Sequence, residues 1–266
     1  MNLKDRVALV TGASRGIGAA TAEVLARRGA QVALSARTRS DLEQVAGRIR
    51  DAGGRALIVP CDALDYAAIE AAMDTVVRHW RRVDILVNNA GLGTPTMPVE
   101  TIPLSDWDQT VALNLKAPFL FIRAAAPVMK RQGYGRIANV SSIAGFLVGP
   151  KSATYCATKG YITSFTESLY LELAGSGVRL QALCPGYTRS DFHARMGMDT
   201  SGEFFRHFMS ADDVVKASLK AIEKGTVVCI PGFRYKLIAL AARFIPRKLY
   251  YWLANRTQGT RLRRVE

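Results

Sequence analysis

The segment Thr11-Gly12-Ala13-Ser14-Arg15-Gly16-Ile17-Gly18 has the residue types of a phosphate cradle. It follows an apolar, β-branched run and opens directly into a helical pattern, Ile17, Ala20, Val24 and Leu25, that ends at Gly29. Glycines there admit positive φ and let backbone N–H groups approach a pyrophosphate, which the positive end of the following helix also attracts. A lone glycine cluster is equally the mark of an ordinary turn. Its place between the first strand and the first helix makes it a dinucleotide site, with Gly12, Ser14, Arg15, Gly16, Ile17 and Gly18 as contacts. About 20 residues past the glycines, where an NAD site carries an acidic side chain for the ribose 2′-hydroxyl, the chain reads Ser35-Ala36-Arg37. With no carboxylate there, Arg37 and Arg15 suit the 2′-phosphate of NADP(H) through charge-assisted bonds; the competing reading is two solvated arginines. Asp62, past the third strand, suits either the adenine amine or a helix N-cap.

Tyr155 and Lys159 form a second constellation, four residues apart on one face of a helix that begins near Ala153. An ammonium beside a phenol, joined by the positive nicotinamide ring, favours phenolate and lowers a pKa that starts near ~10. Tyr155 is then expected to exchange a proton near neutrality. Ser142, at the end of a strand, supplies a hydroxyl that can hydrogen-bond a carbonyl oxygen and hold it against the tyrosine.

These residues must be positioned by a scaffold, and the chain spells one out. Short apolar runs at Arg6 to Thr11, Gln31 to Ala36, Ala56 to Pro60, Asp84 to Asn88, Arg136 to Ser141, Arg179 to Cys184 and Thr226 to Ile230 read as seven strands. Helical patterns separate them near 39–52, 66–82, 105–132, 153–174 and 211–224. The alternation predicts an α/β, Rossmann-like, doubly wound parallel seven-stranded sheet with helices on both faces and right-handed crossovers. Ligands in such folds sit at the carboxyl ends of strands, where the residues above fall. Pro118 lies four after Asn114 and has no N–H for its carbonyl. In a continuous helix 105–132 that carbonyl is left free, either presented to a water or marking only a kink.

Taken together, the loop Thr11 to Gly18, Asn88-Asn89-Ala90-Gly91, Asn114, Ser142, Tyr155-x-x-x-Lys159 and Pro185-Gly186 resemble the short-chain dehydrogenase/reductase family over residues 3 to about 230. The resemblance implies a catalytic tetrad. Tyr155 is its acid and base, Ser142 orients the substrate, Lys159 lowers the tyrosine pKa and binds the nicotinamide ribose, and Asn114 holds a relay water. It further implies that Asn88, Asn89, Ala90 and Gly91 line the cofactor site, that Pro185 and Gly186 pass beside the nicotinamide, and that hydride moves to or from its C4. In place of the family's Pro-Gly-x-x-x-Thr the chain has Ser190 at the last position and Thr188 two earlier, and either hydroxyl suits the carboxamide. A homodimer or homotetramer through the helices at 105–132 and 153–174 is also implied.

Family members build a substrate lid after Pro185-Gly186, here 187–210, with Tyr187, Phe192 and Met196 among its apolar side chains and Ile143 and Phe146 behind Ser142. If these line the pocket, rather than simply pack the lid, the substrate is a bulky apolar carbonyl: steroid-like, terpenoid, aromatic or 3-oxoacyl. The expected activity is NADP(H)-dependent carbonyl–alcohol interconversion. The alternative is a nucleotide-binding or membrane-associated interaction protein on the same fold, which would have no need for the full tetrad.

Beyond this body of residues 1–230, a 231–266 extension carries nine Lys/Arg against one Glu, eight of the chain's net +14. Aromatic and leucine residues interleave with the bases, and Pro246 is expected to separate two helical pieces. Such a tail suits a cleft cover or subunit contact, an anionic membrane surface, or an acidic partner such as an acyl carrier protein. Its longest apolar run, Leu237 to Ala242, falls far short of a span of ~20 residues. Four scattered cysteines and three histidines have no disulfide-framework or metal-ligand spacing, so no metal is expected. No nucleic-acid motif accompanies the charge. The chain is expected to be cytoplasmic, with a peripheral membrane contact as the tail's open option.

Overall fold

In β1 (Val7–Thr11), alternate residues feed opposite sides of a sheet: Val7 and Leu9 join one buried cluster, Ala8 and Val10 the other. That is the pattern of a strand covered on both faces. The computed structural model describes residues 3–93, 97–190 and 208–259. With β2 (Gln31–Ala36), β3 (Arg55–Pro60), β4 (Ile85–Asn88), β5 (Gly135–Val140), β6 (Val178–Leu183) and β7 (Val228–Cys229), β1 builds one parallel sheet in the order β3-β2-β1-β4-β5-β6-β7. The Rossmann-like expectation therefore holds. The strand order reverses between β1 and β4, which is where such sheets open a ligand crevice.

One face is covered by α1 (Gly16–Arg27) and α2 (Arg39–Asp51), the other by α3 (Tyr66–Trp80), through Leu25, Leu42 and Ile69 among others. The expected single helix 105–132 is instead α4 (Leu104–Val111), a π turn (Ala112–Lys116) and α5 (Ala117–Gln132) in one unbroken run. The Ala117 N–H reaches back five residues to the Ala112 carbonyl. Pro118 supplies the physical reason: lacking an N–H, and with a ring that would meet the preceding turn, it is accommodated by widening that turn. By length and composition Leu104–Gln132 could cross a membrane, but Phe121, Ile122 and Met129 lie in the core beneath the sheet.

A short 3₁₀ turn (Ile143–Phe146) precedes α6 (Ala153–Glu172), which shares that face, and α7 (Ala211–Glu223) joins the first through Val215 and Leu219. The seventh strand is only two residues long, shorter than the expected 226–230. After it, α8 (Phe233–Phe244) and α9 (Arg247–Gly259) flank Pro246, as expected.

The end of the sheet away from the crevice is held by charge. The fully buried Asp84 accepts two hydrogen bonds from Arg82, at 2.7 Å each, one from Arg6 at 2.9 Å and one from the Val7 N–H at 2.9 Å. Burial alone would raise its pKa, but these donors outweigh it and hold the carboxyl below its ordinary value. A group whose folded pKa is depressed stabilises fully above its unfolded value near ~4 and loses that contribution as pH falls through the folded value. Asp84→Ala should therefore lower unfolding free energy by about 2 kcal/mol at pH 7 in urea titrations. The gap from wild type should narrow in acid.

Candidate active site

The crevice is built on a clasp between the ends of β1 and β4. The Thr11 hydroxyl accepts the N–H groups of Asn89 and Ala90, each at 3.0 Å, and donates to the Val87 carbonyl. In return the Asn89 amide donates to the carbonyls of Thr11 and Gly12, both at 3.0 Å. This contact leaves no room for a side chain at Gly12 or Gly18. Gly12 sits at φ +61°, and a Cβ on Gly18 would lie 2.2 Å from the Gly12 carbonyl oxygen.

Around this clasp lies a cavity of about 400 Å³. It runs along the strand ends from Arg37 and Asp62 to Tyr155 and Lys159. Of the residues expected at the site, Gly12, Ser14, Arg15, Gly16, Ile17, Asn89, Ala90, Gly91, Ser142, Pro185, Gly186, Thr188 and Ser190 line it. Gly18 and Asn114 lie behind the wall rather than in it. Asp62 does not cap α3; that role falls to Asp65, which accepts from the Ala67 N–H, while Asp62 closes a local turn to the Leu64 N–H and faces the cavity.

At the far end, the Ser142 hydroxyl caps the 3₁₀ turn through the Ala144 N–H and is hydrogen-bonded to Tyr155. Lys159 donates from Nζ to the Val140 carbonyl at 2.9 Å, and its ammonium stands 5.7 Å from the centre of the Tyr155 ring. Lys159 is buried, and Tyr155 is half-buried at the cavity wall. Without the charge of a nicotinamide, burial pushes Tyr155 up to about 12, against the lowering bond from Ser142, and pushes Lys159 down to about 8. Desolvation penalises both charged forms, and depth of burial cannot be read from residue spacing.

Asn114, turned inward by the π turn, pins the backbone of Leu92 at both its N–H and its carbonyl, each at 2.8 Å. Its amide also donates to Thr158, whose hydroxyl donates to the Tyr155 carbonyl. Further contributors escaped the sequence reading. Ser141 and Thr163 both donate to the Lys159 carbonyl, at 2.8 and 3.0 Å, and Asn139 and Thr166 form a buried chain beside them with Asn88, which was expected at the cofactor but does not line the cavity. Gly145 lets the 3₁₀ turn lie directly on α6, since a Cβ there would come within 2.7 Å of the Lys159 carbonyl oxygen. The available signal was the set of hydroxyls at helical spacing on the inner face of α6: Thr154, Thr158, Thr163 and Thr166.

The substrate side of the cavity draws on other residues than those expected, among the described residues. Leu92, Gly93, Gln109 and Leu113 line the cavity; Ile143, Phe146 and Tyr187 do not. Ile143 is buried, its N–H bound to the Pro185 carbonyl, and Tyr187 stacks on Phe208 with ring centres 4.8 Å apart. Both are spent on packing. Phe192 and Met196 lie outside the described residues.

The residues fit a nicotinamide dinucleotide. The N-cap of α1, Arg15, is extended at φ −163° and makes no side-chain cap, and no acid occupies the helix's first turn. Its first N–H groups and positive end are thus available to a pyrophosphate. Arg15 and Arg37 are exposed at the cavity edge and form no ion pair among the described residues.

The family model described as short chain dehydrogenase matches residues 6–200. A 3-oxoacyl-[acyl-carrier-protein] reductase of Synechocystis sp. is 36% identical over 203 residues, covering 76% of this chain and 82% of that relative. A short-chain dehydrogenase from Sphingobium yanoikuyae, solved in complex with NADPH, superposes with a TM-score of 0.79 at 32% identity, over 90% of this chain and 94% of that one. One from Burkholderia phymatum, solved with NAD, gives 0.82 at 25% identity, over 90% and 93%.

Gly18→Ala should weaken dinucleotide binding at least about tenfold in fluorescence titration, because its Cβ must displace the Gly12 carbonyl. Gly47→Ala, with nothing within 4 Å of the new carbon, should leave binding unchanged and add about 0.5–1 kcal/mol of stability.

Proposed function

Because the chain belongs to the short-chain dehydrogenase family, we propose that this oxidoreductase uses NADP(H) to interconvert a bulky apolar ketone or aldehyde and its alcohol, with Tyr155 as acid and base. One observation carries the reading: a single cleft has Ser142, Tyr155 and Lys159 at one end and Arg15 and Arg37 at the other, where Arg37 rather than a carboxylate follows β2. The two arginines support NADP(H) over NAD(H), a choice that the likeness to solved neighbours leaves open because they include both an NADPH and an NAD complex. Leu92 and Leu113 at the catalytic end support an apolar substrate, as does the likeness to a 3-oxoacyl reductase.

When bound, the nicotinamide supplies or accepts the hydride. Ser142 holds the substrate oxygen against Tyr155, and burial keeps the phenol protonated near neutrality, ready to give its proton to the developing alkoxide. Lys159, at about 8, is still mostly charged at pH 7 and stands where it can stabilise the phenolate left behind. Asn114 acts through Thr158 on the Tyr155 backbone and fixes Leu92; in this reading its main-chain carbonyl holds the relay water. Exposed Phe119 on α5 and Tyr161 and Leu171 on α6 support assembly of two or four copies through these helices.

The test is NADPH and NADH oxidation side by side with a panel of carbonyls. NADPH with apolar ketones should be preferred at least about tenfold, and activity confined to NADH or to small hydrophilic substrates would overturn the reading. Tyr155→Phe should cut turnover by about 10²–10⁴-fold with NADPH affinity unchanged. In the reductive direction kcat/KM should fall above about pH 8, as Lys159 loses its proton.

A further inference from the structure

Helix α8 has two apolar faces and the body of the protein uses one. Tyr235, Ala239 and Ala242 point inward; the Tyr235 ring lies so close to Gly186 that a Cβ there would be 2.3 Å from it, and the Tyr235 hydroxyl donates to the Tyr187 carbonyl at 3.4 Å. On the opposite side Phe233, Leu237, Leu240 and Phe244 fall at i, i+4, i+7 and i+11, one stripe about 60° wide on a helix of 3.6 residues per turn. They are 74, 48, 55 and 74% exposed. Arg234 borders the stripe on one side, Lys236 and Arg243 on the other.

Helix α9 continues the surface. Leu249, Trp252 and Leu253 are exposed at helical spacing, and Arg256 stands 4.4 Å over the Trp252 ring. Tyr250 turns the other way and both accepts from the Val148 N–H and donates to its carbonyl, each at 2.9 Å. From Pro231 to Val265 the sequence contains nine basic residues and no acidic one.

We infer that α8 and α9 dock in the plane of an anionic lipid surface, with the stripe Phe233, Leu237, Leu240 and Phe244 entering the acyl boundary and the flanking bases meeting headgroups. The face combines what such docking requires: large exposed apolar side chains, aromatic rings beside them, and basic residues on helices that carry no acid of their own. A second copy of the chain would bring the same uncompensated positive charge to the contact, which disfavours it as the occupant. Tyr235 and Tyr250 join the docked helices to the loops that carry Gly186 and Val148, beside the catalytic residues.

Sedimentation of the full chain with vesicles tests this. Protein should pellet with phosphatidylcholine vesicles containing phosphatidylglycerol, much less with phosphatidylcholine alone, and less as salt rises. The double variant Leu240→Asp/Phe244→Asp should pellet at least tenfold less at an unchanged melting temperature. Absence of wild-type binding to the anionic vesicles overturns the inference. Binding that survives the double variant overturns it too, since charge alone would then be enough. So does a dimer in lipid-free light scattering that the variant dissociates, which would assign the stripe to a second copy.

Discussion

A parallel sheet covered on both faces has to finish its strands where water cannot satisfy the last peptide groups, and this chain meets that constraint with side chains. Thr11 and Asn89 close β1 against β4, and the chain of Asn88, Asn139 and Thr166 ties β4 through β5 to α6. Ser141 and Thr163 converge on the Lys159 carbonyl. The bonds that complete the sheet are the ones that fix the catalytic helix. The glycine loop, Ser142, Tyr155 and Lys159 take their relative positions from them, so the cleft is a consequence of how the strands end.

The same burial sets the electrostatics. Tyr155 and Lys159 are both moved toward their neutral forms, the phenol up to about 12 and the amine down to about 8. Each pKa unit is about 1.4 kcal/mol of preference between protonation states, so the site without charge from a ligand strongly favours the protonated phenol. That state suits donation to a substrate oxygen. Alcohol oxidation needs the opposite state, which positive charge brought beside the ring would favour.

Elements whose residues answer a local requirement were legible in the sequence. Strands buried on both faces announce themselves as apolar runs, and the glycine loop, Pro246 and the Tyr155–Lys159 spacing carry their own geometry. The rest depends on distant partners. The π turn at Ala112–Lys116 follows from Pro118 only once the surrounding helix is known to continue through it. Asp65 rather than Asp62 became the cap because α3 starts where its apolar face meets the core. Ile143 and Tyr187 read as pocket walls because they are apolar and near the right motifs, whereas their partners, Pro185 and Phe208, stand 42 and 21 residues away. Tyr250 and Val148 meet across 102 residues, and no pattern in either segment foretold it.

The central claim is that this cleft passes a hydride between a nicotinamide and a carbonyl carbon under the hand of Tyr155. Isotope transfer tests it most directly, by incubating the enzyme with NADPH deuterated at C4 and an apolar ketone and locating the label by mass spectrometry. The account predicts deuterium on the carbinol carbon with wild type, on one face only, and transfer at least about a hundredfold slower with Tyr155→Phe. Label that reaches solvent, or transfer that Tyr155→Phe leaves intact, would contradict it.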